Sequence, residues 1–330
     1  MHMLKERPLT FPQDKTLRVI LDTDCYNECD DQFCVAHALM TPRFDIKAII
    51  AEQYGGVMPN LDSEQKSYDE ICNIVRLMGL EGEVNILHGC KTLLPDTSTP
   101  VESEGSRFII EEALRDDPRP LFVCTQGAVT NLASALLMKP EIAERITVIS
   151  ILGSPYPQGG FEFNQNNDIN AARVLYQSKA ELWQVPSNVY TTMKISYFEM
   201  MNSIYPCGEI GKYLVEYALK FGKQMMSHMK EMEEMMADSP MAKMNAGQSR
   251  AAAMTSFGGE LWSLGDSPCV GLMMNSTMGR FHYENAPTGL SDTGEYLFEG
   301  ESSRQIRVYD DIDSHFILND MIAKLKFYFG

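Results

Sequence analysis

"RVILDTDCYNECDDQF", residues 18–33, runs from an apolar, β-prone segment, Val19-Ile20-Leu21, into four aspartates within ten positions: Asp22, Asp24, Asp30 and Asp31. The acids begin where a buried strand stops, and "DDQFCVAHALM" (30–40) then reads as a helix. The same order recurs along the chain. Strand-like "FDIKAIIAEQY" (44–54) precedes helix-like "SEQKSYDEICNIVRLMGL" (63–80), in which Ile71, Ile74, Val75 and Met78 fall at helical spacing and Gly79 lies near the end. "EVNILHG" (83–89), "RPLFVCTQG" (119–127), "RITVISILG" (145–153) and a segment of "AELWQVPSNVYTTM" (180–193) read as strands. "SEGSRFIIEEALRD" (103–116), "TNLASALLMKP" (130–140) and "DINAARVLYQS" (168–178) read as the helices between them. Repeated β-then-α order predicts an α/β fold: a mostly parallel sheet flanked by helices on both faces. Ligands of such sheets bind beyond the carboxyl ends of the strands, where the aspartates, "CTQG" and "ILGSP" all fall.

The 330 residues carry a formal net charge of −17, with 44% hydrophobic and 22% charged residues. No linker, repeat or low-complexity break interrupts them, so one domain spanning 1–330, with helical insertions, is expected. An acidic surface disfavours nucleic acid and anionic membrane as partners, since both call for basic patches. No apolar run reaches the ~18 residues of a membrane span. The opening "MHMLKERPLTFPQDK" has no apolar signal core, and the eight scattered cysteines contain no Cys-x-x-Cys pair. A cytoplasmic setting without disulfides or zinc is therefore expected. Residues 208–257 read as mostly helix, with Met225, Met229, Met232 and Met236 on one stripe. A packed face explains the stripe more simply than an adaptable lid or subunit contact.

One aspartate at a strand end can cap the following helix, as Asp30 could. Four together repel by roughly 1 kcal/mol or more per pair even when screened, and a cation is the usual remedy. Oxygen ligands without His or Cys suit Ca²⁺ or Mg²⁺. The spacing is not that of an EF-hand, and Tyr26 stands where the Asp-x-Asp phosphatase motif has Thr or Val.

Three further segments extend the pattern: "CTQGAVTNLASAL" (124–136), "GFEFNQNNDINAARVLY" (160–176) with Glu162, Asn164 and Asp168 ahead of a helix, and "LWSLGDSPCVGLMM" (261–274) with Asp266 after Gly265. In order and context these resemble the signature segments of the inosine-uridine preferring nucleoside hydrolase family, and "VYDDIDSHFILNDMIAKL" (308–325) is similar to that family's last strand and helix. The resemblance covers about residues 17–327. It implies the Rossmann-like fold of that family, hydrolysis of ribonucleosides to ribose and free base in purine or pyrimidine salvage, a Ca²⁺ cofactor, a small-molecule nucleoside as partner, and a homo-oligomer, dimer or tetramer. Carried over by position, it implies Asp24, Asp31, Asp266 and the carbonyl of Gln126 as metal ligands, with Asp24 also the general base. Asp30, Glu162, Asn164 and Asp266 match residues that hold the ribose hydroxyls, and Trp262 is a candidate to stack on the base.

This sequence departs from the family pattern at four places. Five residues, Cys25–Cys29, separate Asp24 from Asp30, where three are usual, so Tyr26, Asn27 or Glu28 either enters the pocket or faces solvent. "QYGGV" replaces a Gly-Asn after the second strand, and no Asn lies between Leu152 and Glu162. Gly265 stands where many members place the His that protonates the leaving base. His228 and His282 are candidate substitutes for it, whereas His37 and His88 read as structural. Two functional readings follow: a Ca²⁺-dependent ribonucleoside hydrolase, or a degenerate member that keeps the metal and ribose site without efficient turnover. Phosphoryl transfer on the Asp-x-Asp motif is a third.

Overall fold

Strand β1, Leu17–Thr23, is buried along its entire length because its side chains alternate between two cores. Val19 and Leu21 enter one and Ile20 the other. The computed structural model describes residue 4 and residues 9–57, 62–235, 259–300 and 304–330, with side chains in the long helix described as far as residue 225. The same alternation repeats in β2 (Phe44–Ala51), β4 (Leu121–Thr125), β5 (Ile146–Ile151) and β6 (Glu181–Val185). Ile49, Phe122, Ile149 and Trp183 thus face the first core, and Ile50, Val123, Val148 and Leu182 face the second.

With β3 (Ile86–Leu87), β12 (Gln305–Ile312) and β9 (Gly279–Asn285), these strands form one eight-stranded sheet in the order β3-β2-β1-β4-β5-β6-β12-β9. All neighbours are parallel except β12 and β9. Helices Asp31–Leu39, Ser63–Leu77, Pro268–Met274 and Ser314–Phe329 cover the first core. Glu104–Leu114, Thr130–Met138 and Ile169–Gln177 cover the second. This is the mostly parallel α/β architecture expected from the β-then-α order.

Two details depart from the sequence reading. The run 83–89 forms only the two-residue β3, and just after it the chain passes so close to β2 that a Cβ on Gly89 would lie 1.9 Å from the Ala51 carbonyl oxygen. The antiparallel β9 and the small pairs β7 (Lys194–Ser196) with β8 (Leu261–Ser263) and β10 (Gly289–Leu290) with β11 (Tyr296–Leu297) carry no β-then-α signal. Among the described residues of the 208–257 region, a helix runs Gly208–Met235. Most of its methionine stripe, and His228, lie outside the described side chains. Among the described residues no helix is long and apolar enough to cross a membrane.

From β1 the chain builds outward to β2 and β3 on one side and, later, to β4, β5 and β6 on the other. The reversal falls between β1 and β4, and it opens a crevice at their carboxyl ends.

Candidate active site

Asp24 leaves β1 at that crevice and Gln126-Gly127 leaves β4 beside it. The two chains touch: a Cβ on Gly127 would sit 2.7 Å from the Asp24 carboxyl carbon, so only glycine lets β4 pass there. The long loop after Asp24 is tied down at both ends. Tyr26 and Asn27 donate their amides to the Asp24 carbonyl at 2.6 and 2.8 Å. Gln32 Nε2 donates to the Cys25 carbonyl at 2.7 Å, and Cys25 and Cys29 are fully buried. Tyr26 is the exposed residue of the loop and meets Tyr217 edge-on at 6.2 Å, whereas Glu28 is half-buried. Burial, with Asp30 and Glu162 as charged neighbours, pushes the Glu28 carboxyl up to about 8. The loop therefore adds a carboxyl to the pocket.

Asp30, Asp31 and Asp266 each present an oxygen within 4.8 Å of the others. Asp30 precedes the Asp31–Leu39 helix but does not cap it. Its carboxylate turns toward the Gly265 and Asp266 amides, and burial, opposed first by its own amide and then by those of Gly265, Asp31 and Asp266, sets it at about 6. Thr23 Oγ1 donates to Asp31 Oδ1. Asp24 stands at the side of this cluster, with Asn27 Nδ2 donating to its Oδ2 at 3.3 Å. Burial and then the charge of neighbouring acids raise Asp24, Asp31 and Asp266 well above the ordinary carboxylate range. Among the described residues no Lys, Arg or His forms an ion pair with any of these carboxylates. Like charges held together without a partner form a site for a cation, and the donor set is hard oxygen.

Beneath the cluster lies a second acid pair that the sequence reading left unassigned. Asp22 and Glu52 share Asn131 Nδ2, at 2.9 and 3.2 Å, and Asn131 Oδ1 accepts from the Cys90 amide at 2.7 Å. Asn131 of the "TN" motif thus ties the ends of β1, β2 and β3 together. Asp22 Oδ2 is buried without a partner among the described residues, and burial lifts this carboxyl to about 7.

Across the pocket, Glu162 begins the Phe163–Asn167 helix. Its Oε2 accepts from the amides of Gly153 (2.8 Å) and Gln165 (2.9 Å), and its Oε1 accepts from the amide of Asn164 (3.1 Å) and from Tyr190 Oη (2.9 Å). Asn164 Nδ2 donates to the Ile151 carbonyl at 2.9 Å. Asp168 caps the next helix and takes the Leu94 amide and Thr130 hydroxyl, so it supports the site. Tyr190, absent from the sequence reading, ends a short helix after β6. A Cβ on Gly265 would lie 3.0 Å from Tyr190 Cδ2 and 3.2 Å from Asp30 Oδ2, so the tyrosine ring takes the room a side chain at 265 would use. No local pattern announces Tyr190, because its role depends on two segments distant in sequence.

The other sequence candidates sort by location. Gln126 lies on the crevice floor, its amide donating to the Asp22 carbonyl at 2.8 Å and its Nε2 directed at Cys34 Sγ. Trp262, on β8, meets Phe221 edge-on at 5.4 Å, and its buried indole N–H has no partner among the described residues. His37 is buried on Asp320 at 2.7 Å, and His88 stacks on Tyr68 and bonds Glu64. His282 sits on the edge strand β9, five strands from β1, between Asp310 and Glu284.

Similarity to known proteins coincides with this geometry. By sequence, the pyrimidine-specific ribonucleoside hydrolase RihA of Citrobacter koseri is 26% identical over 182 residues, 47% of this chain and 55% of that protein. The chain spans about half the length of the curated relatives it matches. Among solved structures, the purine-preferring ribonucleoside hydrolase from Gardnerella vaginalis superposes with TM-score 0.67 at 18% identity, covering 94% of this chain and 98% of that one. The inosine-uridine preferring nucleoside hydrolase from Bacillus anthracis superposes with TM-score 0.60 at 12% identity, covering 94% and 100%. The type III effector XopQ, solved with adenosine diphosphate ribose, superposes with TM-score 0.63 at 13% identity, covering 99% and 95%. The profile described as "Inosine-uridine preferring nucleoside hydrolase" matches residues 19–315, and the chain therefore belongs to that family.

Proposed function

We propose that this chain is a Ca²⁺-dependent ribonucleoside hydrolase that releases ribose and free base. The observation that carries this reading is the convergence of Asp30, Asp31 and Asp266 within 4.8 Å, with no cationic partner among the described residues, at the crevice where β1 and β4 diverge. The hard-oxygen donor set fits Ca²⁺. Asp31 and Asp266 would hold it, with Asp24 and the Gln126 carbonyl from the side, and Asp30 stands within the same cluster. When bound, the cation neutralises the cluster and makes water a better nucleophile.

The remaining chemistry belongs to the chain. Asp24 takes the proton of the attacking water. Asp30, Asp266, Glu162 and Asn164 grip the sugar hydroxyls and orient the ring, and Trp262 meets the base. As the C1′–N bond breaks, positive charge builds on the sugar and the surrounding carboxylates stabilise it. No side chain at 265 protonates the departing base, so rate follows how well the leaving group departs unprotonated.

The test is release of reducing sugar from common purine and pyrimidine ribonucleosides and from p-nitrophenyl riboside, with chelator and after Ca²⁺ is restored. We expect chelation to abolish turnover. The activated riboside should outrun inosine and uridine by about 10²–10⁴-fold, the usual contribution of a general acid. Sugar release from no riboside by the Ca²⁺-loaded protein would favour the second reading, a member that binds a ribosyl ligand and metal without efficient turnover. Gly265 is the observation behind that alternative.

A further inference from the structure

A carboxylate offers about four acceptor positions, and all four on Glu162 are taken by the protein itself. Three of the donors are main-chain amides, Gly153, Asn164 and Gln165, fixed by the turn after β5 and by the start of the Phe163–Asn167 helix. They cannot withdraw without unmaking those elements. The fourth is the Tyr190 hydroxyl, at 2.9 Å from Oε1, on a half-buried side chain. The tyrosine ring lies along the bare backbone of Gly265 and beside Asp30, so it stands inside the pocket. Glu28 and Asp30 are its other charged neighbours there.

We propose that Tyr190 is a specificity-determining residue that competes with the sugar: its hydroxyl holds the one exchangeable acceptor position on Glu162, and a sugar hydroxyl binds there by displacing it. This rests on the reading above, that Glu162 grips the sugar. The exchange blunts discrimination. A sugar with the matching hydroxyl gains one hydrogen bond to Glu162 but breaks another, whereas a deoxy sugar leaves Tyr190 in place and loses little. Gly265 belongs to the same device, because any larger residue would crowd the ring.

The experiment compares wild type with Tyr190→Phe, which keeps the ring and removes the competing donor. D-Ribose, 2-deoxy-D-ribose, 3-deoxy-D-ribose and 5-deoxy-D-ribose are titrated calorimetrically with Ca²⁺ present, and KM and kcat are measured on p-nitrophenyl riboside. Ribose should bind the variant about tenfold more tightly, as expected when a charged acceptor is freed. That gain should vanish for the one deoxy sugar lacking the hydroxyl that Glu162 takes, and KM should fall by a larger factor than kcat changes. Tyr190→Met, which also lacks the hydroxyl, should shift ribose affinity in the same direction.

Unchanged or weaker ribose binding by both variants overturns the exchange, as does an equal gain for all four sugars. Wild-type hydrolysis of ribonucleosides combined with an unaltered KM in Tyr190→Phe would overturn the exchange and leave the proposed function standing. Tighter, hydroxyl-dependent ribose binding with no turnover by either form would do the reverse.

Discussion

The two ends of β1 handle charge in opposite ways. At the amino end, Arg18 is only 3% exposed, yet every part of its guanidinium is answered. Nη1 meets Glu112 Oε1 at 3.1 Å and the Glu112 carbonyl at 2.9 Å, and Nε and Nη2 reach the Arg119 carbonyl. Arg119 in turn joins Asp117 at 2.6 Å and Asp45 at 2.8 Å. Acid and base are matched within the chain. At the carboxyl end, six residues later, Asp24 begins a group with Asp30, Asp31, Asp266 and Glu28 that has no basic partner among the described residues. The first arrangement is complete without a ligand and belongs to the fold. The second is complete only with a positive charge from outside, which is why it reads as a site.

The sharpest way to break this comparison is to delete one acid at each end. Asp31→Ala should cost the carboxyl end about 100-fold or more in Ca²⁺ affinity, since even partners that merely orient a ligand are worth 10–100-fold. Calorimetry on chelator-stripped protein reads this directly. Unchanged affinity would remove Asp31 from the ligand set.

At the amino end, Arg18→Met should lower unfolding free energy in urea by about 1–3 kcal/mol, because Glu112 Oε1 and the Glu112 and Arg119 carbonyls lose their donor while Arg115 still holds Glu112 Oε2 at 2.8 Å. The loss should be the same with and without Ca²⁺. A loss that Ca²⁺ repairs would mean that the two ends are not independent.

The smallest effect concerns pH. In the metal-free chain, burial holds the Asp22 and Glu28 protons to about pH 7 and 8, whereas unfolded carboxylates release theirs near 4. Between those limits the folded state carries more protons, so stability should fall as pH rises from about 4.5 to 7, by up to about 1.4 kcal/mol per pH unit for each proton held. If the cluster takes Ca²⁺ as proposed, the bound cation favours the ionised acids around it, and its addition should flatten the slope. Thermal melts across pH 4.5–8, with and without Ca²⁺, check both the sign and its removal. A metal-free protein that gains stability over this range would contradict the burial of these acids.

Much of this was legible before any coordinates. The alternation of Val19, Ile20 and Leu21 followed by a helix, repeated down the chain, is a local consequence of burying both faces of a parallel sheet, and so the fold class follows from residue order. The "DTD…DD" acids, "TN" and "EFN" are also short-range patterns, each anchored to the end of a strand or the start of a helix. They located Asp24, Asp31, Glu162 and Asn164 at the crevice without a three-dimensional structure. The sequence also showed that residue 265 carries no side chain.

What fills that space was decided by tertiary structure alone. Tyr190 and Gly265 are 75 positions apart, and they meet only because the segment after β6 and the segment after β8 are folded over the same strand ends. The placing of Glu28 near Asp30 and Glu162 has the same origin: a five-residue loop can bend either way, and here Cys25 and Cys29 are the residues it buries fully. Periodicity and motif spacing record what a segment does with its own neighbours. Which side chains share a pocket depends on packing between segments, and no local pattern encodes that.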